Sequence, residues 1–354
     1  MDRDIEISVT PEAARGELRA GRSITLWFLF FLFSLALGYP TLNRYDPRDL
    51  GPDQVAYYRM TMGDNAPTEI PFCFRVLVPS VAKPFYLLAR GRVATWNPVW
   101  LGMLISNSLF CATFSLVLLW MGYRILCNLP LALLGCTLVL LNYAVPDLWL
   151  SGFIDASEAC LLIAVAWFMF SDKWWVLPII GFLGGLAKQS FLPFATIFAT
   201  VWWLTMEKSN RRCGQLLWLV GLGAAASVSI IYVHWSVAGS LMMPWTMASR
   251  WWEEGGFFEN LLFAIGDRRF WYPFVWLVPL GVWRLNRFPK PWVMATGATT
   301  LFALWLAGYS DIGTGDSRAV FNIIGPLFSM SAASLIADEK PWSPSRRNRK
   351  LKTL

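Results

Sequence analysis

Apolar runs near bilayer-spanning length recur along this chain, separated by short polar or Gly/Pro-bearing breaks. They fall at approximately 23–39, 99–121, 129–145, 156–171, 174–187, 190–206, 214–237, 270–283, 292–309 and 319–336, the fifth and eighth being short. In lipid every backbone donor and acceptor needs an internal partner, so continuous runs of this kind form helices. Strands of a membrane barrel are shorter and alternate in polarity. The pattern predicts an all-α integral membrane protein with about ten transmembrane helices and two large outer loops carrying interfacial helices.

The polar breaks divide by charge. Arg124, Lys173, the group Lys208/Arg211/Arg212, the group Arg284/Arg287/Lys290 and the tail residues Arg346, Arg347, Arg349, Lys350 and Lys352 all fall on one side of the alternating runs. The positive-inside rule makes that side, and both termini, cytoplasmic. The expected organisation is a cytoplasmic N-terminal tail over 1–22, a polytopic domain over 23–336 with outer loops at 40–97 and 238–269, and a basic cytoplasmic tail over 337–354. The first apolar run follows a polar segment of mixed charge and shows no small-residue cleavage site, which predicts a retained first span. The segment Phe72 to Ala89 is apolar but contains Arg75, Pro79, Lys83 and Pro84. It is expected as an interfacial or re-entrant helix, because a full crossing would turn the later basic loops outward. In the second outer loop, which holds Trp245, Trp251, Trp252, Glu253 and Glu254, the stretch Phe257–Ile265 has an amphipathic pattern suited to a membrane surface.

Composition narrows the function classes. The 354 residues are 56% hydrophobic and include 21 Trp, too apolar for a soluble domain. The net charge of +7 sits mainly in short loops and the tail, which suits anionic lipid and not nucleic acid. Six scattered cysteines lack metal-ligand spacing and read as small hydrophobes. One histidine, His234, excludes a His-based metal site, and no metal is expected. The cytoplasmic loops are short and no GxxxxGK[ST] stretch occurs, so no nucleotide-binding domain is expected. An activated substrate then comes from the lipid or from outside.

Candidate chemistry lies on the outer side. Gly51-Pro52 is a helix-start signal that places Asp53 in the first turn of a short helix, with Tyr57 at i+4 on the same face. Asp53 there either complements the helix dipole or serves as a general base at the membrane surface. Asp46 is the rival carboxylate in the same loop. Arg75 either snorkels or binds a phosphate with its guanidinium fork. Asp155 opens the fourth run with Glu158 at i+3, and acids entering an apolar span usually face the bundle interior. Lys188, in Gly184-Gly185-Leu-Ala-Lys188-Gln189-Ser190, is an isolated cation between runs five and six. Asp316 and Arg318 precede the final run, as a local ion pair or as a site for a phosphate or carboxylate.

The order of these features resembles the polytopic glycosyltransferases of the GT-C fold. The elements are an Asp-x-x-x-Tyr helix (Asp53 to Tyr57), an aromatic-x-aromatic-Arg-x-Leu-x-Pro segment (Phe72 to Pro79), an Asp opening a middle span (Asp155), a Gly-rich turn with Lys-x-Ser (Lys188 to Ser190) and a late Arg before a Gly-Pro span (Arg318 to Pro326). The resemblance covers roughly residues 23–336. It implies a bacterial-type enzyme of the cell (inner) membrane that uses a polyprenyl-phosphate-linked sugar as co-substrate. A glycan, lipid or protein would be the acceptor, and transfer would invert the sugar. It also implies Asp53 as base, with Asp46 as rival, and the remaining outer-face residues as substrate-binding. The chain lacks the C-terminal periplasmic domain of larger members and an adjacent Asp-Asp or Glu-Asp pair in the first loop. Two other classes fit the residues alone: a transporter or lipid-linked-glycan flippase without covalent chemistry, and a glycan polymerase or ligase.

Overall fold

The computed structural model describes residues 20–43, 51–64, 72–239, 241, 256–309 and 318–336. Asp46, Asp316, Trp245, Trp251, Trp252, Glu253, Glu254 and both tails beyond residues 20 and 336 lie outside the described residues. Every regular element among the described residues is helical. In chain order these are α1 (Ala20–Asn43), α2 (Pro52–Met62), α3 (Leu77–Ala89), α4 (Pro98–Leu126), α5 (Leu129–Leu140), α6 (Asp155–Phe170) and α7 (Leu177–Ala187). They continue as α8 (Phe191–Thr205), α9 (Cys213–Ala238), α10 (Phe257–Gly266), α11 (Arg268–Trp271), α12 (Leu277–Gly281), α13 (Lys290–Tyr309) and α14 (Ala319–Ala333).

Four described helices are long and apolar enough to cross a membrane: Ala20–Asn43, Pro98–Leu126, Cys213–Ala238 and the continuous Ala319–Ile336. Polarity runs opposite to that of a soluble domain. Phe28, Leu29 and Leu32 on α1 and Leu217, Val220 and Val228 on α9 are exposed, whereas Asp53, Asp155, Glu158, Lys188 and Arg318 are buried. Exposed apolar side chains along long apolar helices fit membrane association.

The longest described helix, α4, packs against α1, α3, α5 and α6. Asn97 caps it by accepting the Val99 N–H at 2.9 Å, and Pro98 needs no donor in that first turn. α3 runs antiparallel beside the first half of α4. Ser106 Oγ donates to the Val78 carbonyl at 3.2 Å, and Gly102 brings its backbone close to the Ala82 carbonyl. α7 lies along α9, and Gly181 and Gly185, one turn apart, let the two backbones approach.

Three local expectations are corrected. Gly184 and Gly185 belong to the last turns of α7, not to a turn between helices. Their role is close packing, against Phe191 for Gly184 and against Ser229 and the Ala226 carbonyl for Gly185. The run 270–283 is not one helix but α11, α12 and a 3₁₀ segment Val282–Arg287. Pro273 lacks an N–H and disfavours helix at the residue before it, while Pro279 falls in the first turn of α12, where no donor is needed. The run 129–145 is helical only to Leu140, and a π-turn at Val145–Trp149 follows.

The basic ends gather away from α6's acidic start. Arg124 Nη1 donates to Ser171 Oγ at 3.3 Å at the far end of α6, Arg212 lies 3.9 Å from Asp172, and Arg287 Nη1 donates to the Ser334 carbonyl at 3.3 Å.

The α7–α9 contact is testable. Gly181→Leu would place a side chain against the Leu222 carbonyl, which is backbone and cannot swing aside. It should cost about 1–3 kcal/mol and lower the thermal unfolding midpoint in lipid nanodiscs. Gly297→Ala, with open space around its Cβ position, should leave the midpoint unchanged or raised.

Candidate functional site

The site forms where α2, the turn before α3, the starts of α6 and α14 and the end of α7 converge. Each position has a local cause. Gly51 precedes α2 in extended conformation and donates its N–H to Gln54 Oε1 at 3.1 Å, and Pro52 starts the helix. The helix stops at Gly63, whose φ of 96° suits glycine. Asp53 therefore sits in the first turn, where its Oδ1 accepts the Gln54 N–H at 3.0 Å. Its Oδ2 accepts Arg318 Nη1 at 3.2 Å and Nη2 at 3.3 Å. Both side chains are about nine-tenths buried, 8% exposed each.

A second group lies at the α6–α7 junction. Lys188 Nζ contacts Asp155 Oδ1 at 3.0 Å and Glu158 Oε2 at 3.2 Å. Glu158 also accepts Ser190 Oγ at 2.7 Å and Asn322 Nδ2 at 2.9 Å. Trp149 Nε1 then donates to Asn322 Oδ1 at 2.8 Å. With an exposure of 0%, Glu158 is the most deeply buried acid of the cluster and needs all three donors.

The third group is built on Arg75. Its Nη1 donates to Tyr57 Oη at 3.0 Å and its Nε to Gln189 Oε1 at 3.3 Å, while its plane faces the Phe72 ring 5.1 Å from the centroid. Burial pushes the Tyr57 phenol up to about 12, with Asp53 adding to the shift, so Tyr57 stays protonated at neutral pH.

An irregular stretch threads the cluster. From the π-turn to α6, successive residues reach different neighbours. Asp147 Oδ2 accepts Arg269 Nε at 3.3 Å and Tyr272 Oη at 2.9 Å. The Ser151 carbonyl accepts Gln54 Nε2 at 2.7 Å, and the Phe153 carbonyl accepts Asn107 Nδ2 at 2.8 Å. The Phe153 ring carries Arg318 at 4.7 Å and Arg269 at 5.5 Å. Gly152 has φ 86° and faces the Trp100 ring, so the turn that delivers Phe153 and Asp155 needs glycine on both counts. Residues 148–160 are all buried, the setting in which irregular backbone is tolerated at membrane depth.

Of the residues expected from sequence, Asp53, Tyr57, Arg75, Asp155, Lys188 and Arg318 come together. Asp46 and Asp316 lie outside the described residues. Two cations expected to face a phosphate, Lys188 and Arg318, are engaged by carboxylates. Gln189, Asn322, Phe153, Asp147 and Arg269 were not singled out for the site. Asp147, an acid one residue after Pro146 at the end of an apolar run, carried a readable signal. No group of three or more His, Cys, Asp or Glu able to hold a metal ion occurs among the described residues. Compared with family models, curated proteins and solved structures, the chain matches none.

The buried charges set a stability contrast. Lys188→Met leaves Asp155 and Glu158 without Lys188 and should cost about 3–5 kcal/mol. Glu158→Gln keeps the Lys188–Asp155 pair and an amide oxygen for Asn322, and should cost about 1–2 kcal/mol. Tryptophan-monitored thermal unfolding in nanodiscs reads both; equal losses would remove charge balance as the cause.

Proposed function

We propose that this protein is a polytopic glycosyltransferase of the GT-C type, moving a sugar from a polyprenyl-phosphate donor to an acceptor hydroxyl at the extracytoplasmic face of the cell membrane. The observation that carries this reading is the convergence, on one buried patch, of a carboxylate at the start of a short helix with three cations from separate elements. Acyl or sugar transfer out of lipid needs a base and a place for a leaving anion, and few structural roles need both so far from water.

In this reading the chain crosses the membrane about ten times with both termini cytoplasmic. α3, antiparallel beside the first half of α4, is the re-entrant element, and the turn before it brings Arg75 to the site. The acceptor oxygen attacks the anomeric carbon with inversion. Asp53 takes the hydroxyl proton, the carbon–oxygen bond to phosphate breaks, and the lipid phosphate leaves with the electron pair. Arg75, Lys188 and Arg318 stabilise that growing charge. Arg318 has two tasks: its fork orients the Asp53 carboxylate, and turning toward phosphate releases that carboxylate to take the proton. Asp155 and Glu158 keep Lys188 oriented. The ion pairs that are buried among the described residues gather in one patch, which suits chemistry at one face better than a relay across the bilayer.

Purified protein in nanodiscs, given radiolabelled polyprenyl-phosphate sugars and membrane extract as acceptor, should transfer label. Asp53→Asn should lower the rate about 10²–10⁴-fold, the usual contribution of a general base. Full transfer by a folded Asp53→Asn protein would remove Asp53 from that role and turn attention to Asp46.

A further inference from the structure

A second polar group adjoins the buried cluster at the Phe153 ring, whose centroid lies 4.7 Å from the Arg318 guanidinium and 5.5 Å from that of Arg269. Arg269 ends the stretch expected as the second outer loop, and Asp147 comes from the π-turn. Their side chains are 24% and 17% exposed, against 8% for Asp53 and Arg318, so a ligand can reach this pair without first breaking the buried one. The contact between them uses one atom from each. Arg269 Nε donates to Asp147 Oδ2 at 3.3 Å, and Tyr272 Oη donates to the same oxygen at 2.9 Å. Among the described residues, Asp147 Oδ1 accepts no hydrogen bond and the two Arg269 Nη groups donate none. A guanidinium that anchors a carboxylate frequently does so through two parallel bonds. Here a single bond leaves one carboxylate oxygen and both Nη groups over. Asp267 Oδ2, at the cap of α11, is buried and has no hydrogen-bond partner either.

We propose that Asp147 and Arg269, with Tyr272 and Tyr143 beside them, form a binding site for an uncharged sugar, and that this sugar is the acceptor. The proposal rests on the glycosyl-transfer reading, which leaves the acceptor class open. The pair is neutral as a unit, so an anion would meet Asp147 and a cation would meet Arg269. What it offers is an acceptor and donors within one ion pair. Each sugar hydroxyl both donates and accepts, so one of two neighbouring hydroxyls donates to Asp147 Oδ1 while the next accepts from an Arg269 Nη. Both bonds are charge-assisted. A lipid alcohol or a serine side chain brings a single hydroxyl and uses half of this set. Aromatic surface lies alongside. Tyr143 is 66% exposed and edge-on to the Tyr272 ring at 5.3 Å, and Asn142 Nδ2 donates to the Tyr272 carbonyl at 3.0 Å. An exposed ring of this kind is a surface for the apolar face of a sugar. Position agrees with the role. Phe153 contacts both guanidiniums, so a sugar held by Arg269 borders the Asp53–Arg318 pair, where the attacking hydroxyl gives up its proton.

The test is ligand-observed saturation-transfer NMR on the full-length protein in nanodiscs, with empty nanodiscs as blank and no donor present. The probes are the methyl glycosides of glucose, galactose, mannose and N-acetylglucosamine, with glucuronic acid, cyclohexanol and N-acetylserine methylamide for comparison. At least one neutral glycoside should bind more tightly than all three comparison probes. Asp147→Asn and Arg269→Lys should each raise its dissociation constant about tenfold, the effect of losing one hydrogen bond to a charged group. Lysine keeps the charge that a purely structural tie to Asp147 needs and removes the guanidinium donors, so Arg269→Lys with a native-like thermal midpoint separates recognition from support. Arg212→Lys, whose pair with Asp172 lies beyond the far end of α6, should bind as wild type. Binding of no glycoside, unchanged affinity in both site variants, or preference for glucuronic acid or the serine amide would overturn the proposal. Those outcomes leave the donor chemistry standing, because label transfer to membrane extract tests that separately. Glycoside binding by a protein that transfers no label would overturn the acceptor role.

Discussion

Burial of Glu158 is the constraint around which the interior is arranged. A carboxylate with no solvent contact is costly unless charge and hydrogen bonds surround it. Its three donors come from Lys188 after α7, Ser190 before α8 and Asn322 within α14, so satisfying one acid ties α6 to two segments distant in sequence, the 188–190 turn and α14. Trp149 extends the restraint by orienting Asn322, and its ring packs edge-on to Phe114 of α4 at 4.8 Å. Apolar packing in lipid is nearly indifferent to how helices rotate about their axes, because lipid tails are as apolar as the side chains. Polar contacts of this kind are what select one arrangement.

Helix ends share the electrostatic work. Asp155 and Glu158 lie in the first turn of α6, at the positive end of its dipole, and Lys188 directly follows the negative end of α7. Placing acids and cations at complementary ends lowers the cost of their burial before any ligand is considered. Arg318 at the start of α14 has the opposite relation, a cation at a positive end, and it is the residue held by the Asp53 carboxylate and laid on the Phe153 ring. This cation, set against its own helix dipole, is held by groups from other segments, which fits the exchange of partners proposed for it.

The sequence was informative where local chemistry determines structure. Gly51-Pro52 starts a helix because of backbone rules alone, and Asp53 and Tyr57 follow from its periodicity. Charged residues in apolar surroundings are conspicuous, so Arg75, Asp155, Lys188 and Arg318 could be read before their contacts were known. Gln189 and Asn322 are ordinary polar residues whose roles arise only from what packs beside them. The stretch 145–154 escaped for another reason: π-turns and a left-handed glycine have no hydrophobic period, so neither the Asp147–Arg269 contact nor the Phe153 platform could be placed. The glycines of α7 were read as part of the turn that carries Lys188, whereas between packed apolar helices glycine permits close approach. The helix class and the apolar runs were legible, and four described helices are long enough to cross a membrane. The prolines of 270–283 were visible too, but apolar content outweighed them.

One long helix links the two cations that stand at opposite sides of the site. α9 receives α7 through Gly181 and Gly185, and Lys188 follows the end of α7 by a single residue. α9 also meets the turn that carries Arg75: the Phe74 ring lies 4.0 Å from the His234 ring, and both are almost wholly buried. A tilt of α9 would therefore bear on both Lys188 and Arg75, while the turn beside Arg75 also packs against α2, the helix of Asp53. Gln189, bonded to Arg75 and adjacent to Lys188, closes that loop of contacts from the other side. Arg75 is thus held from two sides, by Tyr57 of α2 and by Gln189 beside Lys188, so its spacing from Asp53 and from Lys188 is set by packing of α2 and α9 against one short turn.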